Sequence, residues 1–135
     1  MDISTLNWPA IIVAAVSSFL IGGLWYSPIL FGKQWMQENN LTDEEMKKGN
    51  MPKIFGLTFL FSLIMAFNLA MFLNDSKTDA AWGATAGFLA GFGWVAMCIF
   101  TIGQFERKST RYMLINGGYV TVGLTVMGLI LGIWR

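Results

Sequence analysis

Inside the long apolar stretches of this 135-residue chain, few side chains could do chemistry. The candidates are Trp25, Tyr26, Ser27, Trp94, Cys98, Thr101, Asn116 and Tyr119. Cys98 and the serines could serve as nucleophiles only beside an activating base or metal. The sequence has no histidine, and no Asp or Glu falls within an apolar stretch. That removes the commonest neutral-pH base and the commonest metal and haem ligand. Glu106, Asp43, Glu44 and Glu45 could act only at a surface. We therefore expect no enzymatic activity, no metal and no cofactor. With a single cysteine there is also no internal disulfide. What these residues can do is hydrogen-bond, either to hold helices together or to line an uncharged path.

The stretches that carry them are long. Pro9 to Gly32, Ile54 to Asn74, Ala80 to Phe105 and Tyr112 to Trp134 contain no charge, and each meets the roughly 20 residues needed to cross a bilayer core. Apolar residues make up 55% of the chain and charged ones 13%, with a mean hydropathy of +0.55; soluble domains are far more polar. The reading is an all-α membrane protein: one domain over 1–135, a bundle of four transmembrane helices with spans at about 9–32, 54–74, 80–105 and 112–134. Asp2 and the lack of basic residues before Trp8 argue against a cleaved signal peptide, as does the length of the first run. A net charge of +1 gives no long-range attraction for nucleic acid, so membrane lipids are the expected surroundings.

Between the first two spans, Thr42 with Glu45 forms a capping box. It predicts a short helix from Asp43, stopping by Gly49 and Asn50 before Pro52, at the cytoplasmic lipid surface. Lys33, Lys47, Lys48 and Lys53 in the first connection, with Arg107, Lys108 and Arg111 in the third, are seven of the nine basic residues. The positive-inside rule then places both termini outside the cytoplasm.

Pro28 lies near the end of the first span, where it should bend or break the helix. The carbonyls it frees need partners within protein or water, so Trp25 to Pro28 should face other helices. Each span also carries small residues at intervals of four, which permit close backbone approach in lipid. These are Ala10, Ala14, Ser18 and Gly22; Thr58, Ser62, Ala66 and Ala70; Gly83, Gly87 and Gly91; and Thr121 and Thr125 with Gly128 and Gly132.

At 100° per residue, Trp94, Cys98 and Thr101 share the face of the third span's glycines. The fourth span has two faces, one with Asn116, Tyr119, Gly123 and Met127, the other with Thr121, Thr125, Gly128 and Gly132. It is therefore either central in the bundle or shared with a second subunit, and a homo-oligomer, a dimer first, is expected. Gly22, Trp25 and Phe31 recur at identical spacing as Gly91, Trp94 and Phe100, a pattern a duplicated hairpin would leave. Counting along the spans puts Tyr26, Ser27, Trp94, Cys98, Asn116 and Tyr119 in one layer roughly 6–14 Å inside the cytoplasmic boundary. The layer either ties the helices together or lines a small cavity.

Several of these residues carry a resemblance. Asn7-Trp8, Leu24-Trp25-Tyr26-Ser27-Pro28, Phe31-Gly32 and Trp35 are joined by Gly91-Phe92, Trp94, Phe105-Glu106, Asn116, Gly118-Tyr119, Gly128 and Trp134. Together they resemble the small bacterial membrane family catalogued as domain of unknown function 1761. The resemblance implies a compact four-span protein of a bacterial cytoplasmic (inner) membrane and carries no established activity. From the residues, the expected role is structural or interactive; the alternative is a small oligomeric channel or transporter for a small ion or neutral solute. A proton-coupled exporter such as those of the small multidrug resistance family would need a carboxylate within a span.

Overall fold

The structure, a computed structural model, describes residues 2–135. After a 3-10 turn at Ile3–Thr5 come α1 (Trp8–Trp25), α2 (Gly32–Glu38), α3 (Asp43–Lys47), α4 (Met51–Phe72), α5 (Ala80–Ala90), a π-helical segment (Gly91–Ala96), α6 (Met97–Phe105) and α7 (Thr110–Ile133). Four helices are long and apolar enough to span a bilayer: α1, α4, the continuous helix Ala80–Phe105 and α7. The protein is an all-α, multi-pass membrane protein. Each long helix opens on a side-chain cap: Asn7, Asn50, Asp79 and Ser109 accept from the backbone N–H groups of Ala10, Lys53, Trp82 and Tyr112.

Two boundaries differ from the sequence reading. The second span opens at Met51 rather than Ile54, with Asn50 as its cap, because proline is tolerated in a helix's first turn, where its missing N–H would have no partner anyway. The first span stops at Trp25 rather than near Gly32, and after a tight turn the chain enters α2, a short helix the sequence reading did not separate. The expected capped helix is present as α3, with Thr42 accepting from Glu45 N.

The turn satisfies the carbonyls that Pro28 frees. Leu24 O accepts from Ser27 Oγ at 2.6 Å and from Ser27 N at 3.2 Å; Trp25 O accepts from Phe31 N at 2.9 Å, and Ser27 O from Gly32 N at 2.8 Å. A Cβ on Gly32 would lie 2.6 Å from the Ser27 carbonyl carbon. Only glycine lets the chain fold back this closely.

In the bundle α1 lies between α4 and α7, and α7 between α1 and the third span. The core joins Ile11, Ala14 and Ala15 of α1, Ala66, Leu69 and Leu73 of α4, and Leu124, Met127 and Leu131 of α7. On the other side of α7 backbone meets backbone: a Cβ on Gly83 would overlap Gly128 O, one on Gly87 would overlap Leu124 O, and one on Gly132 would overlap Asp79 O. Gly91 sits against Val120 and Thr121. Glycine ladders permit this approach, and in lipid it supplies dispersion contacts where burial of apolar surface supplies little. Both faces of the fourth span are thus used within one chain, which makes α7 central. Its second face gives no argument for a second subunit.

Side-chain bonds tie each end of the bundle. At the end bearing the termini, Asn74 Nδ2 donates to Asp2 O at 2.9 Å and to Thr5 Oγ1 at 2.7 Å. Asn7 Nδ2 donates to Trp134 O at 3.1 Å, and Arg135 to Asp75 O. At the opposite end, Ser109 Oγ donates to Glu38 Oε2 at 2.6 Å and Arg111 to Gln37 Oε1 at 2.9 Å, with Arg111 Nε 3.6 Å from Glu38 Oε1.

Candidate functional site

At the end of α1, three side chains reach α7. Tyr26 Oη donates to Asn116 Oδ1 at 2.6 Å across 90 positions of sequence. Trp25 Nε1 donates to Ile115 O at 2.8 Å, and its ring covers Gly118, where a Cβ would come within 2.8 Å. Ser18, two turns back along α1, pairs with Tyr119: the two hydroxyls are 3.4 Å apart, and Tyr119 Oη is 3.4 Å from Ser18 O. The Tyr119 ring occupies the notch of Gly22, where a Cβ would meet its hydroxyl at 3.1 Å. Aromatic contacts complete the cluster, with Tyr26 edge-on to Trp35 at 5.6 Å and to Tyr119 at 5.5 Å, and Trp25 against Phe31 at 4.8 Å.

The pair Gly117-Gly118 receives an aromatic from each neighbour. Trp25 lies on Gly118, while Phe100 of the third span lies on Gly117, where a Cβ would come within 2.6 Å of its ring. The first and third spans thus hold α7 from two sides at the same level.

Trp94, Cys98 and Thr101 do not join this layer. Trp94 is 69% exposed, and Cys98 and Thr101 also face away from the bundle. The cause is the π-helical turn at Gly91–Ala96. Its wider turn inserts one residue into the helical register, so the packing face steps from Gly91 to Ala96 and continues through Phe100 and Gly103. Ala96 and Gly103 are buried, and Gly103 lies against Met113. Thr101 returns its hydroxyl to Met97 O at 2.8 Å in its own helix. Together with Gly93 and Met97, the three residues border a shallow outward groove. Ser27 is near the cluster but serves the turn through Leu24 O rather than Asn116. The Trp25 and Trp94 environments are opposite, one inward and one outward, so the matched spacing of the first and third spans does not correspond to matched packing.

Beside the Tyr26–Asn116 bond lies a cleft of about 270 Å³, bounded by Tyr26, by Tyr112, Asn116, Tyr119 and Val120 of α7, and by Ile99, Ile102 and Glu106 of the third span. Glu106 and Tyr112 were not singled out for this site by sequence. Their signal was position: the residue that follows the third span and the one that opens the fourth apolar stretch must come close across a short connection. Among the described residues the Glu106 carboxylate makes no hydrogen bond or ion pair, and the Asn116 amide is bonded only through its oxygen, to Tyr26. Gln34 Oε1 on α2 is the one buried polar side-chain atom without a partner among the described residues, and it does not border the cleft. No cluster of three or more metal-ligating side chains occurs among the described residues.

Neither curated proteins nor solved structures gave a match. The family model described as a protein of unknown function (DUF1761) matches residues 9–132, which take in nearly all of the four spans and the clamp that Trp25, Tyr26, Asn116 and Tyr119 form between α1 and α7, and the chain belongs to that family.

Proposed function

We propose that this is a non-catalytic structural or interaction protein of a bacterial cytoplasmic membrane, and that its inner polar layer holds the broken end of the first span. The observation that carries this reading is how the polar groups are spent. Tyr26 Oη goes to Asn116, Trp25 Nε1 to Ile115 O and Tyr119 Oη to Ser18, each bond joining α1 to α7. Hydroxyls committed to interhelical bonds are poorly placed to replace the water shell of a permeating solute. The absence of histidine and of any carboxylate within a span supports the non-catalytic part.

Orientation is part of the proposal. Seven of nine basic residues fall in the first and third connections, which puts that end of the bundle in the cytoplasm and both termini outside. A reporter active only in the cytoplasm, fused after Arg135, should stay silent; strong activity would reverse the orientation.

The experiment for the role itself pairs proteoliposome flux with thermal unfolding, on the native chain and on Asn116→Leu. The expected result is lower stability, on the order of 1 kcal/mol, with no saturable flux of small ions or neutral solutes in either protein. A selective flux in the native chain, lost in a mutant of normal stability, would replace this reading with that of a channel or transporter.

A further inference from the structure

The clamp leaves one set of polar groups unspent, and all of them border the same cleft. Tyr26 occupies one end of the Asn116 amide, and the other end makes no hydrogen bond among the described residues. The Glu106 carboxylate likewise has no partner there, although Arg107 and Lys108 follow it in sequence. Tyr112 stands one helical turn from Asn116, about 6 Å along α7. The chain already uses the Tyr112 ring as a cation platform, with Lys108 Nζ 5.0 Å from the ring centroid. Ile99 and Ile102 supply the apolar wall.

We propose that this cleft binds an ammonium amphiphile. The cationic head lies at the mouth against Glu106 and Tyr112, the hydrocarbon follows Ile99 and Ile102 outward, and the free N–H groups of Asn116, one turn deeper, serve an acceptor oxygen in those amphiphiles that carry one, such as an aminolipid. The volume of about 270 Å³ is at the lower edge of the roughly 300–1,000 Å³ usual for small-molecule sites. It holds a headgroup and the first carbons of a chain, while the remaining tail lies along the outside of the bundle. A carboxylate at a membrane boundary, in a cleft also lined by tyrosine rings and an isoleucine wall, favours a cation with an apolar tail over a free ion or a neutral sugar. The same ammonium chemistry could come from an aminolipid of the bilayer or from a soluble long-chain amine.

The test uses the full chain in nanodiscs of phosphatidylglycerol alone. In one arm labelled dodecyltrimethylammonium is titrated; in the other, phosphatidylethanolamine is added to the bilayer and retention measured by native mass spectrometry. Dodecyl maltoside and dodecyl phosphate are the neutral and anionic controls. Saturable binding of an ammonium probe above both controls is expected, weakened roughly fivefold by Glu106→Gln, the scale of one partly exposed ion pair. Lys108→Gln should tighten binding, because it removes a competing cation from Tyr112, an effect a merely structural role for these residues would not produce. Binding in the first arm alone identifies a soluble amine, and in the second alone an aminolipid. Equal retention of dodecyl maltoside, preference for dodecyl phosphate, or indifference to Glu106→Gln in a normally folded protein would each overturn the proposal. None of these outcomes bears on the clamp, which Asn116→Leu tests through stability.

Discussion

Tyr26 Oη and Asn116 Oδ1 are 2.6 Å apart, and this bond tethers the end of the first membrane helix to α7. Pro28 removes the N–H that would have continued α1, Ser27 takes up the freed Leu24 carbonyl, and Tyr26, the residue that caps the helix, points its hydroxyl into α7. The break and the tether are parts of one device: the local turn satisfies the backbone, and the aromatic side chains anchor it to the central helix.

The glycine ladder should be intolerant in a position-specific way. Gly87→Ala places a methyl group into Leu124 O, whereas Gly23→Ala meets nothing within 4 Å. Thermal unfolding in mild detergent should show the first destabilised by about 1–3 kcal/mol, the cost of overpacking, and the second unchanged or slightly improved by helix propensity. Gly128→Leu should unfold the bundle rather than merely dissociate an oligomer, because Gly128 faces Gly83 of the same chain. A folded, monomeric Gly128→Leu protein would show that this face is not essential to the bundle.

Trp25→Phe keeps a ring over Gly118 but removes the donor to Ile115 O. A loss of about 1 kcal/mol is expected, and Trp25→Ala should cost more by leaving the glycine notch empty. Equal stability of Trp25→Phe and the native chain would show that the indole bond contributes nothing.

The π-helical turn makes a sharp prediction about deletion. Removing Gly93, at which an added Cβ would touch nothing within 4 Å, should convert the wide turn to ordinary α-helix while leaving Phe100 on Gly117 and Gly103 on Met113. The shortened chain should fold, with a melting temperature within a few degrees of native, about the shift that 1 kcal/mol produces in a domain this size. Failure to fold would mean that the wide turn itself is required.

That turn also marks where sequence reading stopped. The four spans, the capped α3 helix and the inward ladders were legible because charge-free length and four-residue spacing are set by bilayer thickness and helix geometry. Tyr26, Asn116 and Tyr119 could be placed at one level by counting residues. Trp94, Cys98 and Thr101 could not, since a single inserted residue rotates everything beyond Gly91 by about 100°, and Gly91 to Ala96 is a glycine-rich run like many others in this chain. Counting from the last charge, Lys53, starts the second span three residues late, at Ile54 rather than Met51, because it overlooks that a cap such as Asn50 lets Pro52 and Lys53 sit in the first turn.

At the end bearing the termini, Asp75 accepts from Lys77 N at 2.8 Å and from Thr78 Oγ1 at 3.2 Å. The Lys77 N–H bond, with help from Thr78 and Arg135, holds its carboxyl below the usual 3.8. A depressed folded value stabilises the native state above the unfolded value and loses that contribution as pH falls through the folded one. Unfolding midpoints should therefore drop below about pH 4 more in the native chain than in Asp75→Asn. Parallel pH profiles would remove Asp75 from the account.

The central claim is that the Tyr26–Asn116 bond joins the broken first span to α7, and a double-mutant cycle over Tyr26→Phe and Asn116→Ala measures it directly. The account predicts a coupling free energy of about 0.6 kcal/mol, the mean for interhelical hydrogen bonds in membranes, and no more than about 1.7. Strict additivity of the two changes, with a coupling indistinguishable from zero, would contradict it.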